Sequence, residues 1–166
     1  MSFEEYLFNI ALIALVIRQI RGRKLTWFSL VWPIGLVAYA AVTYLRSVPA
    51  HGNNIALVAA GAITGMALGC LCGRLTRIYR NRDGVVFAKA TSTAATFWVI
   101  GVGSRLGFAL YAKHGGEASI AAFSAAHAIT SEAAWTACLI LMALAEVLAR
   151  TAFLAPRLRQ LQKLCT

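Results

Sequence analysis

Five apolar segments make up most of this chain, and their lengths constrain its fold more than any other feature. They cover residues 6–20, 27–45, 55–75, 90–111 and 126–148. A helix needs about 20 mostly apolar residues to cross the hydrocarbon core of a bilayer. Only 13% of the residues are charged, whereas ordinary soluble domains contain about 25%. We therefore predict a single all-α membrane domain over residues 1–166, a bundle of five transmembrane helices.

The basic residues lie between the apolar segments, and their number alternates along the chain. When Arg18 and Arg74, near the ends of the first and third segments, are counted with the stretches that follow, these stretches contain, in order, four, one, five, one and four Lys or Arg residues. Because basic residues are retained on the cytoplasmic side of a membrane, thirteen of them lie inside and two outside. The alternation predicts an N-terminus outside, a C-terminus inside and a multi-pass protein of the bacterial cytoplasmic (inner) membrane.

The net charge of +10 would suggest nucleic-acid binding in a soluble chain. Here the topology accounts for the charge, and five spans leave no soluble module that would bind nucleic acid. Basic residues at the cytoplasmic face attract anionic lipid headgroups. We therefore expect membrane lipids as partners, together with a membrane-protein partner or a second copy of the chain, and no nucleic acid.

Glycine recurs at every fourth position of the third apolar segment, at Gly61, Gly65, Gly69 and Gly73. Residues four apart lie on the same face of a helix. In lipid, small residues let helix backbones approach closely, and such packing drives helix association. We interpret these four glycines, the glycine ridge, as a helix-packing surface. Its partner is either another span of the same chain or the same ridge in a homodimer.

Two ionisable residues, Arg105 and Glu132, lie inside predicted spans. A charge at the centre of a bilayer costs at least about 2.5 kcal/mol, so such residues usually face a partner or a wet cavity. Each lies about six residues from the outer end of its span, and antiparallel neighbours would bring the two side chains into an ion pair. His127 lies nearer the outer surface. These three residues form either an outward-facing pocket, for an ion, a proton or an anionic ligand, or a pair that pins the spans together.

Glu146 lies four residues before Arg150, near the inner end of the fifth span. Glutamate and arginine at this spacing form a favourable pair on a helix surface. We therefore interpret Glu146 as the partner of Arg150.

The connector between the third and fourth spans contains Asp83 and Gly84, a pair that favours a tight turn. Val85, Val86 and Phe87 then favour a strand. These residues predict a short cytoplasmic β-hairpin. The alternative is a basic helix that continues the third span and ends at the Asp83-Gly84 turn.

No motif for a nucleophile, a phosphate loop or a dinucleotide is present. The four cysteines, Cys70, Cys72, Cys138 and Cys165, lack the spacing of a zinc site. We therefore assign no catalytic residue, no metal ligand and no cofactor. Whether the protein is an enzyme stays open; an intramembrane enzyme that uses Glu132 and His127 is the least favoured class.

Four stretches of the chain carry a family resemblance: "RQIRGRK", "VWP", and "YRNRDGVVFAK" leading into "FWVIGVGSRLGFALY". With these stretches the chain resembles the CcdC-like family of small bacterial integral membrane proteins. The motif match covers about Arg74 to Tyr111. The resemblance implies four or five spans, an Arg-Asp-Gly hairpin facing the cytoplasm and a span that ends in Arg-Leu. It implies no catalytic residues.

Two functions are consistent with these observations. The leading hypothesis is a non-enzymatic accessory or scaffold protein that acts through helix–helix assembly. The alternative is a small transporter or ligand-binding membrane protein that uses the outward-facing pocket of Arg105, Glu132 and His127.

Overall fold

The computed structural model describes residues 23–24, 26–44, 51–81 and 86–163, which are mostly helical. The first predicted span, residues 6–20, lies outside them. The helices are α1 (Trp27–Tyr44), α2 (Asn54–Leu75), α3 (Ser92–Tyr111), α4 (Glu117–Ala126) and α5 (Glu132–Lys163). The strands are β1 (Arg23–Lys24), β2 (Thr76–Arg80) and β3 (Val86–Ala90).

Three helical segments are long and apolar enough to cross a membrane. They are Asn54–Leu75, Ser92–Ala126 and Glu132–Leu161, and they correspond to the third, fourth and fifth predicted spans. The chain is therefore a multi-pass membrane protein with a mostly helical fold. Helix α1 coincides with the second predicted span but is not among these three, so the number of five spans stays a prediction.

The glycine ridge of α2 packs against α5 inside the molecule. The two helices run parallel, because Gly61 faces Cys138, Gly65 faces Met142 and Gly69 faces Glu146. A Cβ atom on Gly61 would lie 2.8 Å from the carbonyl oxygen of Cys138, and one on Gly65 would overlap the Met142 carbonyl. Only glycine lets the α2 backbone approach the α5 carbonyls this closely. Of the two predicted partners for the ridge, the structure shows another helix of the same chain.

Hydrogen bonds join the beginning of α2 to the loop that precedes α5. The Asn53 amide N–H donates to the Ala128 carbonyl at 3.0 Å. The Asn54 side chain donates to Thr130 Oγ1 at 2.9 Å and accepts from the Thr130 N–H at 3.0 Å. Asn54 is fully buried, and these bonds satisfy polar groups that would otherwise be costly to bury. They hold the starts of the two parallel helices at one end of the molecule, which we call the groove end.

A three-stranded antiparallel sheet, in the order β1-β3-β2, lies at the opposite end, which we call the sheet end. Strand β2 begins at Thr76, directly after α2 ends at Leu75. One face of the hairpin packs on α5, where Val86 contacts Leu154 and Leu158. The predicted β-hairpin is therefore confirmed, and the alternative of a continuing basic helix is wrong.

The residues of the predicted turn, Asp83 and Gly84, lie outside the described part of the chain. Strand β1 was not predicted. It belongs to the basic stretch after the first apolar segment, and its two residues pair with β3, Arg23 opposite Ala88 and Lys24 opposite Phe87.

Candidate ligand-binding groove

A groove with a volume of about 970 Å³ lies at the groove end, between α3, α4 and the beginning of α5. Alanine, isoleucine and aromatic side chains form most of its wall. Three charged residues also line it, Lys113, Glu117 and Glu132. Pockets for drug-sized ligands have volumes of about 300–1,000 Å³ and combine apolar walls with a few polar groups. The groove therefore has the size and lining of a small-molecule site.

A bend in the chain after α3 creates this groove. The backbone leaves helical geometry at His114 (φ −108°, ψ 39°) and at Gly115, where φ is +97°. A positive φ of this kind favours glycine, because a side chain would clash with the backbone. The bend separates α4 from α3, so that residues of both helices face the beginning of α5 across the groove.

Two aromatic residues line the groove, Phe108 and Trp135, and a third ring, that of Phe123, packs against Trp135. Phe108 of α3 stacks on Trp135 of α5 with ring centroids 5.0 Å apart. Phe123 of α4 contacts the same indole at 5.9 Å, and Trp135 Nε1 donates to Ser124 Oγ at 3.1 Å. Trp135 therefore joins α3, α4 and α5. We call Phe108, Phe123 and Trp135 the aromatic cluster.

The charged residues of the groove carry a net negative charge. Glu117 is the first residue of α4 and Glu132 the first residue of α5. Acidic side chains interact favourably with the positive end of the helix dipole at these positions. Both are exposed, and neither forms an ion pair within the described part of the chain. With Lys113, the groove contains two carboxylates and one ammonium group.

Arg105 pairs with Glu146 and not with Glu132, its predicted partner. Its Nη2 atom lies 2.8 Å from Glu146 Oε2, with 17% and 6% of the two side chains exposed. The prediction was wrong because it began the last helix near residue 126, whereas α5 begins at Glu132. Glu146 lies about 21 Å further along the axis of α5. Helical side chains lean toward the N-terminus of their helix, so Arg105 leans along α3 away from Glu132.

The interpretation of Glu146 as the partner of Arg150 was also wrong. Gly101, one turn before Arg105 on α3, explains the observed pairing. A Cβ atom at Gly101 would lie 2.9 Å from Glu146 Oε2, so the missing side chain leaves the space that the carboxylate occupies. The resulting ion pair connects α3 and α5 within their apolar segments.

His127 lies outside the groove, on the exposed loop between α4 and α5. Its ring stacks on Phe123 with centroids 4.0 Å apart, and Nδ1 lies 2.9 Å from the Phe123 carbonyl oxygen. The three predicted site residues are therefore not brought together: Glu132 lines the groove, Arg105 lies deeper in the bundle and His127 lies on the loop.

The sequence contained two signals for the groove that the prediction did not use. Ser131 directly precedes Glu132, a typical helix start in which a serine caps the first turn; its Oγ accepts from the Ala133 N–H at 3.1 Å. Gly115-Gly116 similarly indicates a break after α3. Nothing in the sequence indicated that Phe108, Phe123 and Trp135 would meet, because they lie on three different helices.

Among the described residues, no group of three or more His, Cys, Asp or Glu side chains is arranged to hold a metal ion. Comparisons of the chain with protein-family models, with curated proteins and with solved structures return no match. The resemblance to the CcdC-like family therefore stays a prediction.

Proposed function

We propose that this membrane protein binds a small amphipathic organic cation in the groove formed by α3, α4 and α5. The observation that carries the proposal is that Phe108 and Trp135 line a groove of about 970 Å³ together with Glu117 and Glu132, two carboxylates that form no ion pair within the described residues. This proposal develops the ligand-binding alternative and changes the charge of the expected ligand.

A cationic ligand fits the charges better than an anionic one. Arg105, the cation expected to bind an anionic ligand, is engaged by Glu146 at 2.8 Å, which leaves Lys113 as the cation that lines the groove. The groove has one more carboxylate than ammonium groups. Aromatic faces attract cations by about 0.5–2 kcal/mol, more when the cation is desolvated. The apolar wall supports the hydrophobic part of such a ligand.

We also propose five spans, with the groove end outside and the sheet end inside, in the bacterial cytoplasmic membrane. The distribution of charge supports this orientation. Basic residues cluster at the sheet end, in β2, β3 and the last turns of α5, and such clusters are typical of the cytoplasmic side. The groove would then accept ligands from the exterior or the outer leaflet.

The scaffold hypothesis loses the surface that motivated it, because the glycine ridge contacts α5. Assembly with a partner or a second copy stays a prediction, and it would need a different surface.

Tetraphenylphosphonium and tetraphenylborate test the proposal, because they share a shape and carry opposite charges. We expect the detergent-purified protein to bind the phosphonium with a saturable change in tryptophan fluorescence and the borate much more weakly. Glu132→Gln should weaken phosphonium binding about fivefold, since two unit charges about 4 Å apart in water interact by about 1 kcal/mol. Isothermal titration calorimetry provides the affinities.

Two tryptophan variants control for the location of the bound cation. Trp135→Phe should remove most of the fluorescence response. Trp98→Phe should preserve it, because Trp98 packs beside Cys72 and Ala94, away from the groove. Equal affinity for the borate, or an unchanged response in Trp135→Phe, would contradict the proposal.

A further inference from the structure

The exposed face of the sheet presents a pair of like charges directly opposite each other. Arg77 of β2 is paired with Lys89 of β3 in the antiparallel register, so the two side chains lie on the same face of the sheet. Both are exposed. Like charges at opposed positions destabilise a sheet. We call two residues that lie opposite each other on neighbouring strands a rung, and we expect the rung of Arg77 and Lys89 to be more stable when an anion lies between the two cations.

No carboxylate compensates this pair within the described part of the chain. The ion pair found there joins Arg105 to Glu146, inside the helical bundle. Ile78 and Val86 pack on α5 from the opposite face of the hairpin, which also carries Arg80. The face that carries Arg77 and Lys89 is therefore directed away from α5. A ligand from outside the chain has access to it there.

The position of the pair along the bundle indicates the source of the anion. Arg77 is the second residue after the end of α2, and Lys89 is the third before the start of α3. At about 3.3 Å per residue, both lie within about 10 Å of the ends of two apolar helices. The headgroup layer begins where the hydrocarbon core ends and is about 5–8 Å thick. Lipid phosphates are the anions concentrated at this level.

Two neighbouring features complete the site. Arg74, in the last turn of α2, is exposed and adds a third cation on the membrane side of the rung. Tyr79 and Phe87 form the next rung on the same face, with their rings stacked 5.9 Å apart. Tyrosine is enriched at the membrane–water interface.

We propose that Arg77 and Lys89 bind the phosphate of an anionic phospholipid between them, with Arg74 contributing to the local positive potential. The site belongs to the sheet and is independent of the groove, so either proposal can fail without the other.

Native mass spectrometry of the detergent-purified chain tests the site by titration with phosphatidylglycerol and with phosphatidylcholine of the same acyl chains. We expect preferential retention of phosphatidylglycerol. Lys89→Gln and Arg77→Gln should each weaken this binding about tenfold, because each removes a hydrogen bond to a charged group. Arg159→Gln is the matched control, because it removes one positive charge from the same end of the molecule. The Arg159 guanidinium lies over the ring of Trp27, 5.1 Å from its centroid. Its loss should change phosphatidylglycerol binding by less than about twofold.

Stability measurements separate a specific site from general attraction. Without anionic lipid, Lys89→Gln should unfold at the same temperature as the original chain or a higher one, because the repulsion with Arg77 is removed. With phosphatidylglycerol, the original chain should gain more thermal stability than the variant. Equal losses of lipid binding in Lys89→Gln and Arg159→Gln would overturn the proposal. If inorganic phosphate raises the thermal stability of the original chain and phosphatidylglycerol does not, the lipid is not the ligand and the site binds a soluble phosphate instead.

Discussion

At the scale of single residues, side-chain direction decides which charges meet. Arg105 and Glu146 lie 41 positions apart, and nothing in their local sequence indicates that they pair. They meet because Arg105 leans toward the N-terminus of α3 and because Gly101 leaves room for the carboxylate. The pair is largely buried, so each partner depends on the other to compensate its charge.

Removing one partner of this pair should destabilise the protein strongly. We expect Glu146→Ala to lower the free energy of unfolding by about 3–5 kcal/mol, because it leaves the Arg105 charge uncompensated. Glu132→Ala, which breaks no ion pair in the described structure, should lower it by less than about 1 kcal/mol. Chemical unfolding in detergent, followed by circular dichroism, measures both. Similar values for the two variants would show that the buried pair does not stabilise the bundle.

At the scale of helices and strands, the glycine ridge makes α2 and α5 a parallel pair in close contact. Parallel neighbours in a bundle need a crossover connection, which the sheet, α3 and α4 supply. Backbone contacts along the ridge bring the α2 glycines against the carbonyl groups of Met142 and Glu146. Such close approach allows Cα–H···O contacts and extensive dispersion interactions. The ridge therefore also determines where α5 places Glu146.

The two kinds of glycine in this chain provide a direct test of the ridge. Gly65→Ala should lower the free energy of unfolding by about 1–3 kcal/mol, because its Cβ overlaps the Met142 carbonyl and the helices must separate. Gly103→Ala on α3 is the matched control, since nothing lies within 4 Å of its Cβ position. It should raise stability by roughly 0.5–1 kcal/mol through helix propensity. If Gly65→Ala is also neutral or stabilising, the observed packing of α2 on α5 is incorrect.

At the scale of the whole molecule, the two ends differ in charge and in construction. The sheet end contains most of the basic residues and a small sheet packed on the extension of α5. The groove end contains a bend, a short helix and an open groove with a net negative charge. This asymmetry agrees with one cytoplasmic and one exterior face.

Reporter fusions check the proposed orientation. A green fluorescent protein fused after residue 166 should fluoresce, and alkaline phosphatase at the same position should be inactive, because the C-terminal tail is basic and retained inside. Phosphatase fused after Lys113, on the groove side of α3, should be active. Phosphatase activity at residue 166 would show that the proposed orientation is wrong and that the groove faces the cytoplasm.

Sequence patterns predicted the elements of this fold better than its contacts. The lengths of the apolar segments located the helices of the third, fourth and fifth predicted spans, because a bilayer requires about 20 apolar residues in each span. The β-hairpin was predicted from strand-forming residues near Asp83 and Gly84. The glycine ridge was predicted from the recurrence of glycine at every fourth position. Each of these features depends on neighbours along the chain, which a single sequence contains.

What the sequence determined by itself is the class of protein, the positions of three apolar helices and the helix face that carries the glycines. Only the tertiary structure decided which helix covers that face, which carboxylate reaches Arg105, and that Phe108 and Trp135 line one groove. The physical reason is that periodicity and hydropathy arise from short-range order along the chain. Pairing between helices depends on their relative depth and rotation, and in lipid these are set by close packing and by buried polar contacts.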